Sequence, residues 1–160
     1  MAEGEKKLDA LDLVLPAPLQ TPPRIVVPFS WLLVRGNHVF MSDHIPTNDD
    51  GSVAAPLGKV GADVSIEQAA EAAKRIALGV LGDLKREIGD LDSVTGWGRV
   101  LGMVNGAPGF NQTTAVVNGF SELLLELYGP ERGAHSRSAV WVAELPVNAP
   151  VAIEAECFIE

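Results

Sequence analysis

The 160-residue chain carries 21 acidic against 12 basic residues, a formal net charge of −9, and so acidic a surface makes long RNA or DNA a poor partner on electrostatic grounds. The length supports one hydrophobic core rather than two, and a single cysteine excludes an internal disulfide and fits a reducing compartment. No apolar run approaches the roughly 18 residues of a membrane span, and no hydrophobic signal region follows Met-Ala-Glu-Gly-Glu-Lys-Lys, so a cytoplasmic location is expected.

Glu5 to Leu13 sets Leu8 and Leu11 at helical spacing, and the proline-rich Pro16–Pro23 after it suits neither helix nor central strand. Residues 1–23 are therefore expected to form an N-terminal extension, with one domain over 24–160. Ile25 to Val34 and His38 to Met41 are rich in β-formers and separated by Arg35-Gly36-Asn37, the composition of a tight hairpin. Thr47 to Val60 is expected to be loop. Ser65 and Gln68 make a capping-box pair for a helix ending near Gly89, with an apolar stripe through Ile66, Ala69, Ala73, Ile76, Val80, Leu84 and Ile88. Ser93 to Val104 resumes as strand, and after the turn at Gly106–Gly109 a second helix runs from about Thr113 to Tyr128, stopping at Gly129-Pro130. Two strands flanking Leu-Pro-Val-Asn-Ala-Pro close the chain.

The order β-β-α-β-α-β-β argues for an α+β fold, a mixed sheet with two helices packed on one face. Such a sheet leaves its other face uncovered. Trp31, Leu33, Trp97 and Trp141 are expected to expose apolar surface there, an area that soluble monomers rarely tolerate, so oligomerisation is expected.

Alternation along the Arg137–Glu144 strand puts Arg137, Ala139 and Trp141 on one side and Ser138, Val140 and Val142 on the other. A guanidinium is a planar fork that grips a carboxylate through two parallel hydrogen bonds, so Arg137 on a strand reads as a small-anion site. The alternative is a surface cation paired with Glu144 or Glu154. Gly96, Gly98 and Gly102 resemble a dinucleotide loop only superficially, since the third glycine falls one residue late. His38, His44 and His135 lack the companions of a metal site. Neither a metal nor another cofactor is expected.

The Arg137-Ser138 segment, the Leu145-Pro146 turn, Ile153-Glu154-Ala155, Gly36-Asn37 with the strand to Ser42-Asp43-His44-Ile45-Pro46, and Asn118 together resemble the Rid superfamily. Its members are the reactive intermediate deaminases, also called YjgF or endoribonuclease L-PSP-like proteins. The resemblance covers roughly residues 24 to 160. It implies a chorismate-mutase-like homotrimer with small-molecule clefts at the subunit boundaries. It also implies a substrate-binding set in which Arg137 holds a carboxylate, Asn118 faces the cleft from the second helix, Ser42 lines it and Phe29 walls it where the family commonly has tyrosine. For Ser42 the alternative is a strand-end hydroxyl satisfying local backbone.

The largest departure is Ala152, where the deaminase branch carries a glutamate thought to position the attacking water. A methyl group can neither transfer a proton nor orient water. Glu154, on the same strand face, and His44, a titratable imidazole near the same mouth, are the candidate substitutes. Ala139 stands where some relatives have cysteine, and Cys157, expected to be buried, does not replace it. Catalytic residues are thus left open. The implied ligands are 2-imino and 2-keto carboxylates, either hydrolysed to keto acid and ammonia or simply bound. RNA cleavage, the third activity associated with the family, is disfavoured by the charge.

Overall fold

The computed structural model describes residues 3–160, so residues 1 and 2 of the expected extension lie outside the described residues. Among the described residues the α-helices and strands follow in chain order: α1 (Glu3–Ala10), β1 (Leu32–Arg35), β2 (His38–His44), α2 (Ile66–Ile88), β3 (Val94–Asn105), α3 (Thr113–Arg132), β4 (Ser136–Val142) and β5 (Val151–Ile159). They build one five-stranded sheet in the order β1-β2-β5-β3-β4. Only β3 and β4 are parallel; the other neighbours are antiparallel. Helices α2 and α3 cover one face, giving the α+β architecture expected from the element order.

Local chemistry explains most boundaries. Gly36 takes φ 61 in the two-residue turn between Arg35 and His38, a conformation glycine adopts without penalty. The Ser65 side chain accepts from the Gln68 backbone while the Gln68 side chain accepts from the Ser65 backbone, closing the capping box that starts α2. In α3, Gly129 leaves helical geometry at φ 77, so the continuous helix stops at Tyr128 and only one further turn follows Pro130. The first strand is shorter than expected. Pro28 lies within the expected run and Arg24 adopts φ 80, and regular pairing begins only at Leu32.

The core lies between the helices and the sheet, with Ile76, Leu81, Leu84, Phe120, Leu124 and Ile153 fully enclosed, each contributing about 1.5–3 kcal/mol by leaving water. Leu8 of α1 belongs to the same cluster. The segment after α1 is tied down by Ala17 N–H to Asp49 O and by Arg86 Nη1 to Pro16 O. A Cβ on Gly119 would fall inside the Ala70 carbonyl oxygen, so α3 and α2 cross with backbone against backbone.

The uncovered face is apolar, as expected, but partly through other residues. Leu33, Phe40, Val140 and Phe158 are each about 40% exposed. Trp97, expected there, instead faces the helices at 6% exposure, stacked edge-on against Phe120 and Tyr128. The reason is register. Irregularities in β3/β5 pairing between Val94 and Gly96 and between Trp97 and Val100 break the two-residue alternation, so Val94, Trp97 and Val100 all turn inward. Trp31 and Trp141 also leave the open face. Trp31 packs edge-on against buried His44, and Trp141 lies over Gly106 with its indole N–H donating to Ala107 O.

Candidate functional site

Strand β4 keeps the alternation its sequence predicts. Arg137 pairs with Val100, Ala139 with Gly102 and Trp141 with Val104, all positions of β3 that face the helices, so Arg137 projects toward α3 at the edge of the sheet. Its Nη1 donates to Ser121 Oγ at 2.9 Å and its Nη2 to Thr114 O at 3.4 Å. Among the described residues it pairs with no carboxylate. Glu144, one expected alternative partner, pairs with Lys59 at 3.4 Å. Glu154, the other, occupies the opposite face of the sheet. Partial burial lowers the guanidinium pKa, yet an arginine so placed stays charged at any physiological pH.

Asn118 lies on the stripe of α3 that also carries Thr114 and Ser121, at four- and three-residue spacing. Its half-buried amide makes no hydrogen bond to any described residue. An uncommitted amide and a guanidinium without an acid therefore share one margin of the molecule.

Ser42 and Phe29 stand elsewhere. They line a hollow of about 360 Å³ on the open face of the sheet, with Ser30, Leu33, Phe40, Arg99, Leu101, Glu154 and Glu156. The Ser42 hydroxyl donates to Ser30 O at 2.8 Å, satisfying local backbone as its alternative reading holds, while the residue still lines the hollow. Phe29 is 51% exposed and stacks edge-on against Trp31. Within one protomer the four expected binding residues thus form two separate groups, Arg137 with Asn118 on the helix side and Ser42 with Phe29 on the open side.

His44 belongs to neither group, which corrects its reading both as a cleft base and as polar surface. It is 7% exposed between β2 and α2, with Nδ1 on Ser42 O at 2.6 Å and Nε2 on Asp83 Oδ2 at 2.9 Å. Both ring nitrogens face acceptor oxygens, so neither is free to take a proton from a substrate. Burial pushes the Asp83 pKa up, but hydrogen bonds from His44 and Arg86 outweigh it and hold the carboxyl below its ordinary value. A group with a depressed folded-state pKa stabilises the fold above its unfolded value, near 4, and that contribution disappears as pH falls through the lower folded value. Thermal melts should therefore show stability dropping between about pH 5 and pH 3, and Asp83→Asn should flatten that drop while lowering the melting temperature at pH 7.

Several known proteins are similar to this chain. Protein TCP17 from Trypanosoma cruzi is 36% identical over 120 residues, 75% of this chain and 74% of that one. The crystal structure of Atu1372 from Agrobacterium tumefaciens, of unknown function, superposes at TM-score 0.87 with 31% identity, over 99% of this chain and 93% of that one. A candidate endoribonuclease from Shewanella oneidensis superposes at 0.88 with 24% identity, over 98% and 99%. RidA from the Antarctic bacterium Psychrobacter sp. superposes at 0.58 with 18% identity, over 89% of this chain and 99% of that one. The chain belongs to one family with protein TCP17, and its fold is that of the Rid/YjgF proteins. No family model matches it.

Set against the Rid expectation, position 152 is closed. Ala152 is completely buried opposite Met103, so neither solvent nor a substrate reaches its methyl within a protomer. Glu154, two residues on, is exposed and lines the hollow with Ser42 and Phe29. Ala139, where some Rid proteins have cysteine, packs against the core. Cys157 is fully enclosed, its thiol pushed up to about 12 by burial, and inert as a nucleophile. Ser121 carries no motif and His135 stands out in the sequence only as a histidine without metal-site companions; only the fold brings the two to Arg137.

Proposed function

We propose that the protein captures small 2-keto and 2-imino carboxylates in clefts between the subunits of a homotrimer, with the carboxylate docked on Arg137. The observation that carries this reading is the guanidinium without an acidic partner at the sheet edge, beside the uncommitted amide of Asn118. Two donors of that kind at a partly buried margin call for an anion. Ser42 and Phe29 would complete each cleft from the neighbouring subunit, since in their own protomer they face the other side of the sheet. The apolar open face bearing Leu33, Phe40, Val140 and Phe158 supports an assembly that covers it. Titration calorimetry with 2-ketobutyrate, together with the mass in solution, tests the proposal; a monomer that takes up no keto acid would refute it.

A second reading, hydrolysis of the bound imine to keto acid and ammonia, is favoured by the position of Glu154. Ala152 can do no acid–base work, whereas Glu154 places a carboxylate in the hollow with Ser42 and Phe29 and could orient a water toward the electrophilic carbon. With imine generated in situ by an amino-acid oxidase, Glu154→Gln should slow its disappearance by about 10²-fold or more toward the buffer rate. Wild-type protein no faster than buffer would leave binding as the function. RNA cleavage is the weaker alternative, with a net charge of −9 opposing a polyanion.

A further inference from the structure

Arg137 is held by a hydrogen-bonded relay that the sequence does not announce. Behind the guanidinium, Ser121 Oγ accepts from Arg137 Nη1 at 2.9 Å and lies 2.8 Å from His135 Nε2; His135 Nδ1 in turn lies 2.8 Å from Gly133 O. A carbonyl oxygen only accepts, so His135 Nδ1 carries the proton facing Gly133. In the neutral form of the ring Nε2 is then bare and takes the single Ser121 hydroxyl proton. That leaves the Ser121 lone pairs for Arg137. Every donor in the series points the same way, from the guanidinium to the Gly133 carbonyl.

The anchor of the relay is itself fixed. Gly133 N–H bonds Gly129 O at 3.0 Å, and a Cβ at Gly133 would meet the carbonyl oxygens of Gly129 and Leu124, both at 2.7 Å. The left-handed turn at Gly129 brings the chain back along α3, which is how His135 reaches Ser121, fourteen residues earlier in the chain. Ser121 is buried, at 8% exposure. The other guanidinium contact, to Thr114 O, is long at 3.4 Å, so orientation of the fork depends chiefly on Ser121.

The geometry points to His135 and Ser121 as positioning residues that aim Arg137 at an incoming carboxylate. This inference rests on the carboxylate reading above and deepens it. A hydroxyl free to rotate would present its proton to the guanidinium part of the time and release it. With Nε2 occupying that proton, Ser121 is a permanent acceptor and the fork is set before the ligand arrives, which lowers the ordering cost of binding. Neither residue touches the ligand in this account.

The test measures 2-ketobutyrate affinity by calorimetry and the Arg137 guanidinium signals by ¹⁵N NMR on the intact protein. Ser121→Ala should weaken binding about tenfold, the loss expected for one hydrogen bond to a charged group, and His135→Leu about fivefold. His135→Gln, whose amide oxygen can take the place of Nε2, should stay within about twofold of wild type. The double variant Ser121→Ala with His135→Leu should be no weaker than Ser121→Ala alone, because both act through one contact. Hindered guanidinium rotation should be visible in the wild type and in His135→Gln and averaged in His135→Leu. Wild-type affinity and rotation in His135→Leu would overturn the proposal, as would His135→Gln behaving like His135→Leu. Equal 2-ketobutyrate uptake by wild type and Arg137→Ala would instead defeat the carboxylate reading, and the guanidinium signals would then decide the relay on their own.

Discussion

Arg137→Ala is expected to weaken 2-ketobutyrate binding by about a hundredfold or more, a loss of about 2.7 kcal/mol or greater. The guanidinium is anchored on the same face of α3 as Asn118, and among the described residues it has no carboxylate of its own. Removing it therefore leaves a ligand carboxylate to shed its water without charge compensation. Arg137→Lys should recover only part of the loss, because a point charge on a flexible stem cannot form two parallel hydrogen bonds or sit in the Ser121 and Thr114 contacts as the planar fork does. The melting temperature should hardly move in either variant, since Arg137 joins no ion pair among the described residues and touches α3 through only two hydrogen bonds. Calorimetry beside a thermal melt separates the two effects; a large drop in melting temperature with intact binding would assign Arg137 to the scaffold.

The largest stability effect is expected at Gly119, which is neither in a turn nor at positive φ. A single methyl there would overlap the Ala70 carbonyl oxygen and sit 2.8 Å from its carbon. The obstacle is helical backbone, which cannot rotate aside as a side chain does, so α3 must move bodily away from α2. That separation would loosen Phe120 and Val116 on one helix and Ala73 and Ile76 on the other, all fully enclosed. Gly119→Ala should cost about 3 kcal/mol, the upper part of the range for overpacking, despite the better helix propensity of alanine. For a chain of this length that corresponds to about 6–12 °C in melting temperature. Because α3 also carries Thr114, Asn118 and Ser121, keto-acid binding should fall with it. An unchanged melt would mean that the helices cross less closely than described.

What was legible in the sequence was local. The capping box at Ser65 and Gln68, the glycine of the β1–β2 turn and the alternation that points Arg137 toward the helices are each set within a few residues, and each appears where the pattern places it. Trp97 was not legible, because the irregular pairing that turns it inward is created by β5, more than fifty residues away. The same holds for His44. Its partner Asp83 is 39 residues distant, and the only hint in α2 is an acidic residue lodged next to the buried Leu84 and three from the buried Val80. The site shows the division most sharply. Arg137, Asn118, Ser42 and Phe29 can be picked out one by one, but their separation onto two sides of one sheet follows from topology, as does the Ser121–His135 support behind the arginine.

The central claim is most directly tested by a crystal structure of the assembled protein soaked with 2-ketobutyrate. The account predicts a keto acid at each subunit boundary, its carboxylate oxygens on Arg137 and Asn118 of one subunit, with Ser42 and Phe29 of the next subunit against its other end. A ligand seated away from Arg137, or a boundary at which the guanidinium is met by an acidic side chain of the neighbouring subunit, would contradict it.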